Sequence, residues 1–163
     1  MQLVVLGLNH RSAAVEVRER FSFEKNEVES ALNRLYEYEK ISECVILSTC
    51  NRTEIYAVLE DVQSPKAYML DVLKNLKHAD TIDETAFFFY EEKACIDHLF
   101  RVSASLDSLV LGEGQILSQL KGAYIAAYSA GFTGTVFNIL FQRAISVGKK
   151  VRTNTGIANT PVS

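Results

Sequence analysis

The sequence lacks any apolar run long enough to cross a membrane; no stretch approaches the roughly 18 residues that a spanning helix requires. Its first residues, MQLVVLGLNHRS, turn polar too early for a secretory signal. Cysteine is scarce. Cys44, Cys50 and Cys95 are odd in number and show no C-x-x-C spacing, which argues against a disulfide framework or a zinc site and for reduced thiols. A strong charge of one sign is missing too: the net charge of −3 offers no global basic field for nucleic acid, although a local contact would not need one. There is no G-x-G-x-x-G between strand and helix and no G-x-x-x-x-G-K-[ST], so no nucleotide-binding fingerprint is visible. Repeats and low-complexity tracts are absent. These absences predict a soluble, cytoplasmic protein with no metal site and no membrane partner.

What is present is ample apolar material, 48% of 163 residues, enough for a real core. Leu3 to Leu8 is a short β-branched run that reads as a strand ending at Asn9-His10. Val28, Ala31, Leu32, Leu35 and Tyr36 recur at helical spacing and predict an amphipathic helix from Glu24 to about Glu39. Cys44–Thr49 and Thr53–Leu59 read as two further strands joined by a tight junction at Cys50-Asn51-Arg52. Ser64-Pro65 has the form of a helix start, a capping hydroxyl followed by proline at the first helical position. Ala86–Tyr90 reads as a fourth strand. The order is β-α-β-β-α-β, so the expected fold is α+β: a ferredoxin-like sandwich over residues 1–91. Helical periods then run through Ile96 to Val102, Ile116 to Ala127 and Thr135 to Val151, predicting a small helical bundle over 92–152. The polar stretch 153–163 reads as a linker.

Chemistry concentrates in Ser48-Thr49-Cys50-Asn51-Arg52-Thr53-Glu54. A thiol at a strand end is held firmly yet can face a cleft, and a guanidinium two residues on would favour the reactive thiolate. Cys44, inside a strand, and Cys95, early in a helix, are expected to be inert core residues. Arg52 could fork a carboxylate with two parallel hydrogen bonds, or simply pair with Glu54 at the surface. His10 and His98 are both candidates to approach Cys50, and spacing does not choose between them. Around Ser105–Gln115 two glycines flank Glu113, a break that lets backbone approach a ligand or merely joins two helices. Arg143, Lys149, Lys150 and Arg152 form the one local basic patch; such runs are mostly solvated helix ends, and contact with RNA phosphate is the sharper alternative.

Several of these segments, in order, resemble glutamyl-tRNA reductase in its N-terminal part: Gly7–Ala13, Leu47–Tyr56, His98–Val102, Leu106–Glu113, Gln115-Ile116 and Gly148–Thr153. The resemblance implies that Cys50 attacks the ester of glutamyl-tRNA(Glu) and that NADPH reduces the resulting thioester to glutamate-1-semialdehyde, the first step of tetrapyrrole synthesis from glutamate. It implies that Arg52 grips the side-chain carboxylate and that Thr49, Asn51, Ser108, Glu113, Gln115 and Gln119 line the glutamate pocket. Gly114 counts with them, but stands where the family commonly has proline and so leaves that loop freer. His98 matches a histidine near the nucleophile, with a polarising or orienting role. The NADPH-binding domain is expected after residue 163, with a dimerisation domain beyond it; a homodimer and an association with glutamate-1-semialdehyde aminomutase are implied for the full-length enzyme. Two other readings stand beside this one: a non-catalytic ferredoxin-like RNA-binding module with Cys50 buried, and a thiol hydrolase or acyltransferase acting on a non-tRNA ester.

Overall fold

The computed structural model describes residues 1–106 and 115–155. Ser108, Glu113 and Gly114 lie outside the described residues. Among these residues four strands form one sheet: β1 (Gln2–Asn9), β2 (Ile41–Ser48), β3 (Arg52–Leu59) and β4 (Phe88–Glu91). Their spatial order is β2-β3-β1-β4 and every pairing is antiparallel. With helices after β1 and after β3, this is the expected ferredoxin-like arrangement.

Among the described residues six helices accompany the sheet: α1 (Val15–Phe21), α2 (Lys25–Arg34), α3 (Pro65–Leu76), α4 (Glu92–Ser103), α5 (Gln115–Ser129) and α6 (Thr135–Thr155). The strand register assigns the faces, because opposed residues of an antiparallel pair point the same way. Val5, Gly7, Glu54, Tyr56 and Phe88 share one face, on which α4 and α6 pack; Tyr56, for example, meets the Phe141 ring edge-on at 5.4 Å. On the other face Ser48 accepts the Phe23 N–H at 2.8 Å at the entrance to α2. There α2 and α3 are joined by Arg34, whose guanidinium donates to the carbonyls of Asn75 (2.9 Å) and Leu76 (3.1 Å). Phe21, Phe137 and Phe141 are fully buried, and each such side chain stabilises the fold by about 1.5–3 kcal/mol.

Glu43 fixes α6 to the sheet. Its buried carboxylate accepts the N–H groups of Gly134 (2.5 Å), Phe137 (2.9 Å) and Val136 (3.3 Å), capping from another element a helix start that carries no acidic residue in its own first turn. Farther along, α6 meets α4 at Gly148, where an added Cβ would lie 2.5 Å from the Ser103 carbonyl oxygen. On the outer edge of β2 the Cys44 N–H donates to the Phe132 carbonyl at 2.9 Å, so the turn between α5 and α6 closes part of that edge.

The structure departs from the sequence expectations in five places. Residues 15–21 form α1, a helix the apolar period does not announce. The helix expected to reach about Glu39 ends at Arg34 and passes into a 3-10 turn over Leu35–Glu37, which leaves Tyr36 62% exposed instead of in the core. Ser64 precedes Pro65 as expected, but its hydroxyl caps nothing. The fourth strand begins at Phe88, because Glu84–Ala86 is a 3-10 turn capped by the Asp83 carboxylate on Thr85 N–H. Lastly, α6 continues through Thr155, with Thr153 Oγ1 donating to the Lys149 carbonyl at 2.9 Å, so the first residues of the expected linker are helical.

Candidate active site

Strands β2 and β3 meet in a tight hairpin. Thr49 N–H donates to the Arg52 carbonyl at 2.8 Å, leaving Cys50 and Asn51 as its two-residue tip. Thr49 Oγ1 accepts the Asn51 N–H at 3.2 Å, and Ser48 Oγ lies 3.4 Å from Thr53 Oγ1 across the strands. Cys50 is thus exposed at the end of two rigid rails. Cys44 and Cys95 are fully buried. Burial pushes the Cys44 thiol up to about 12 and raises that of Cys95 as well. Among the three, Cys50 alone is open to a reactant, and the binding-module reading, which needed it buried, loses that support.

From the hairpin, β3 carries alternating residues into a buried polar group. Arg52 and Glu54 are 2% and 0% exposed, and Arg52 Nη1 lies 3.1 Å from Glu54 Oε2. The same oxygen receives His98 Nε2 from α4 at 2.5 Å, and Tyr56 donates to Oε1 at 2.7 Å. The rings of Phe88 and Tyr90 enclose His98 at 5.0 and 5.2 Å. Burial alone would raise the Glu54 pKa. The His98 hydrogen bond and charge, followed by the Arg52 charge and the Tyr56 hydroxyl, outweigh burial and hold it below 4.5. The Arg52–Glu54 pair offered as the bland alternative therefore exists, but inside the protein and not on its surface. Gly7 makes the room: on β1 opposite Glu54, an added Cβ would meet Phe88 Cζ at 2.7 Å, the Thr53 carbonyl at 2.9 Å and Glu54 Cγ at 3.0 Å.

Thr49, Cys50 and Asn51 line a concavity of about 550 Å³ shared with Arg18 and Glu19 of α1 and with Ser22 and Glu24 after it. Phe23 and Ser48 also border a second groove, of about 750 Å³, along β2 between α2 and α5; Gln119 opens into this groove beside Leu47. Gln115 is exposed at the start of α5. The described residues thus bring Thr49, Cys50 and Asn51 together in one cavity, set Arg52 with His98 around Glu54, and place Gln119 in the adjoining groove. His98 bonds to Glu54 and packs against Phe88 and Tyr90, which gives it an anchor that its spacing did not reveal. Sequence reasoning named Glu54 only as a surface partner of Arg52, and it did not single out Arg18. Glu54 was visible as an acidic residue at alternate spacing from Arg52 inside a buried strand, a costly placement that calls for partners. Arg18 carried no comparable signal, because α1 itself was not foreseen.

Residues 6–155 match the family described as glutamyl-tRNA(Glu) reductase, N-terminal domain. Over its full length the chain is 45% identical to a glutamyl-tRNA reductase of Carboxydothermus hydrogenoformans and covers 36% of that protein. It is 47% identical to one of Pelotomaculum thermopropionicum, of which it covers 37%. Among solved structures, glutamyl-tRNA reductase from Methanopyrus kandleri has the same fold with a TM-score of 0.81 and 32% identity, over 99% of this chain and 37% of that one. The chain spans little more than a third of the length of these relatives.

Proposed function

The chain belongs to the glutamyl-tRNA reductase family as its N-terminal domain, and from that premise we propose that it carries the acyl-transfer step of the enzyme. The observation behind this reading is Cys50, an exposed thiol on a two-residue hairpin tip, followed at once by a strand that holds a buried guanidinium. The Cys50 thiolate attacks the ester carbonyl of glutamyl-tRNA(Glu). The tetrahedral intermediate collapses, the carbon–oxygen bond to the terminal ribose breaks, and the ribose oxygen leaves with a proton. The products are an S-glutamyl thioester on Cys50 and free tRNA.

Arg52 would receive the side-chain carboxylate of the glutamyl group, a planar acceptor suited to a guanidinium. Thr49, Asn51, Gln115 and Gln119, with Ser108, Glu113 and Gly114, would complete the pocket, and Glu113 suits the α-ammonium by charge. Glu54 serves as the positioning residue, because one carboxylate holds both Arg52 and His98, and His98 would polarise or orient the reacting carbonyl. In this reading residues 1–91 bear the nucleophile and the following helices complete the pocket.

The described residues do not fit a nicotinamide dinucleotide. The sheet is antiparallel throughout, and β1 leads into an Asn9–Ser12 turn held by the Asn9 side chain, not into a glycine-rich one. Reduction of the thioester by NADPH to glutamate-1-semialdehyde, the first committed step of tetrapyrrole synthesis, is therefore assigned to the enzyme as a whole. So are a homodimer, transfer of the aldehyde to glutamate-1-semialdehyde aminomutase, and a cytoplasmic location. The direct test is single-turnover reaction with glutamyl-tRNA, followed by mass spectrometry of the acid-quenched protein. A glutamyl adduct on wild type and none on Cys50→Ser is the expected result. Undiminished transfer by Cys50→Ser would remove the nucleophile assignment.

A further inference from the structure

Cys50 stands between two unlike neighbourhoods. On the bundle side of the sheet, β3 carries Arg52 into its ion pair with Glu54. The cavity of Cys50 itself lies toward the other side, walled by α1 and by the residues that lead into α2. An acyl donor likewise has two ends. Its acyl chain lies on one side of the carbonyl under attack, and the leaving ribose, with the phosphate on its 5′ side, lies on the other. Arg52 matches the first end.

Arg18 has the chemistry for the second. It is half-buried in the wall of the Cys50 cavity. Its Nη1 donates to the Ala13 carbonyl at 2.8 Å, which fixes the side chain against the turn between β1 and α1. Its Nε is buried with no hydrogen-bond partner, and no carboxylate among the described residues pairs with it. A partly desolvated guanidinium without an acidic partner is held at a cost, and its planar fork matches the oxygens of a phosphate. Beyond the hairpin residues Thr49 and Asn51 and the apolar Val15 and Phe23, the lining holds the hydroxyls of Ser22 and Ser48 and the exposed carboxylates of Glu19 and Glu24, which offer partners to ribose hydroxyls.

We propose that Arg18 binds the phosphate 5′ to the terminal ribose of the acylated RNA, so that the Cys50 hairpin divides the substrate, acyl group toward Arg52 and ribose-phosphate toward Arg18. The proposal rests on Cys50 being the nucleophile. Arg18 acts in binding and takes no part in making or breaking bonds.

The experiment compares two glutamyl donors in single-turnover adduct formation: glutamyl-tRNA, and a nitrophenyl α-ester of glutamate that carries no phosphate. Wild type, Arg18→Gln and Arg18→Lys are assayed over a range of salt. Arg18→Gln should lose about tenfold more with glutamyl-tRNA than with the nitrophenyl ester, as expected for one charge-assisted contact. Its log–log salt slope with tRNA should fall by about 1, and Arg18→Lys should restore the slope while recovering part of the loss. Equal losses with the two donors, or an unchanged slope, would reduce Arg18 to a brace for the Ala13 turn and overturn the proposal. An adduct from neither donor with wild type would overturn the Cys50 reading and this proposal with it. A second measurement needs no variant. The trinucleotide cytidylyl-cytidylyl-adenosine should slow alkylation of Cys50 in wild type more than adenosine does at the same concentration, and equal protection by the two would sink the phosphate contact.

Discussion

His98 Nε2 on α4 and Glu54 Oε2 on β3 stand 2.5 Å apart, both buried, across 44 residues of sequence. Because the same oxygen also holds Arg52, one carboxylate ties the helical bundle to the strand that leaves the Cys50 hairpin. An error in Glu54 is therefore transmitted to two side chains at once.

Glu54→Gln keeps the shape and removes the buried carboxylate charge that Arg52 and His98 both meet. Breaking a buried pair in this way costs about 3–5 kcal/mol, which denaturant unfolding at neutral pH would register. The pH dependence has a definite sign. The folded Glu54 pKa is depressed, so its stabilisation is complete above the ordinary value of 4.5 and is lost as pH falls through the lower folded value. Below 4.5 the variant should lose stability less steeply than wild type. Parallel acid-unfolding curves would show that Glu54 is not the group responsible.

Alkylation should separate the three cysteines. A brief pulse of iodoacetamide on the native protein is expected to modify Cys50 and spare Cys44 and Cys95, whose sulfurs are buried. After unfolding, all three should react. Peptide mapping reads the result, and early modification of Cys95 would mean that α4 opens far more readily than its packing implies.

Gly7→Ala should destabilise the protein by about 1–3 kcal/mol through overpacking. The Phe88 ring can turn away from the new methyl, but the Thr53 carbonyl at 2.9 Å is backbone of the neighbouring strand and cannot. A thermal melt measures the loss. An unchanged midpoint would mean that β1 and β3 separate at no cost at this point.

Arg52→Lys retains a positive charge and loses the planar fork. Discrimination between glutamyl-tRNA and glutaminyl-tRNA should fall by about tenfold or more, since a point charge no longer distinguishes carboxylate from amide by paired hydrogen bonds. Competition between the two charged tRNAs in single-turnover assays measures it, and unaltered preference would take Arg52 out of substrate recognition.

The four strands and the long helices were legible because their signals are local: β-branched runs for β1, β2 and β3, and apolar spacing for α4 to α6. Two short elements obeyed nonlocal rules. Residues 15–21 hold four charged side chains in seven positions and bury Phe21 alone, so α1 has almost no apolar stripe to read. Tyr36 continues the period of α2, yet it leaves the core to lay its ring on Phe132 at 4.2 Å and donate to the Ala130 carbonyl, partners nearly a hundred residues away. The site divides in the same way. Cys50 could be singled out by its neighbours in sequence, whereas the joining of Arg52, Glu54 and His98 depends on how α4 lies across the sheet, which no spacing encodes.

The bond from Cys44 N–H to the Phe132 carbonyl bears on how this protein could fail. A sheet edge with free N–H and C=O groups is a template for another molecule's strand, and β2 is such an edge. With a turn seated against its middle, an incoming strand would have to evict Phe132 before it could pair in register. Variants that loosen the turn between α5 and α6 would therefore polymerise while the sheet itself is still intact, and their defect would surface as aggregation in expression before it surfaced as a lower melting point.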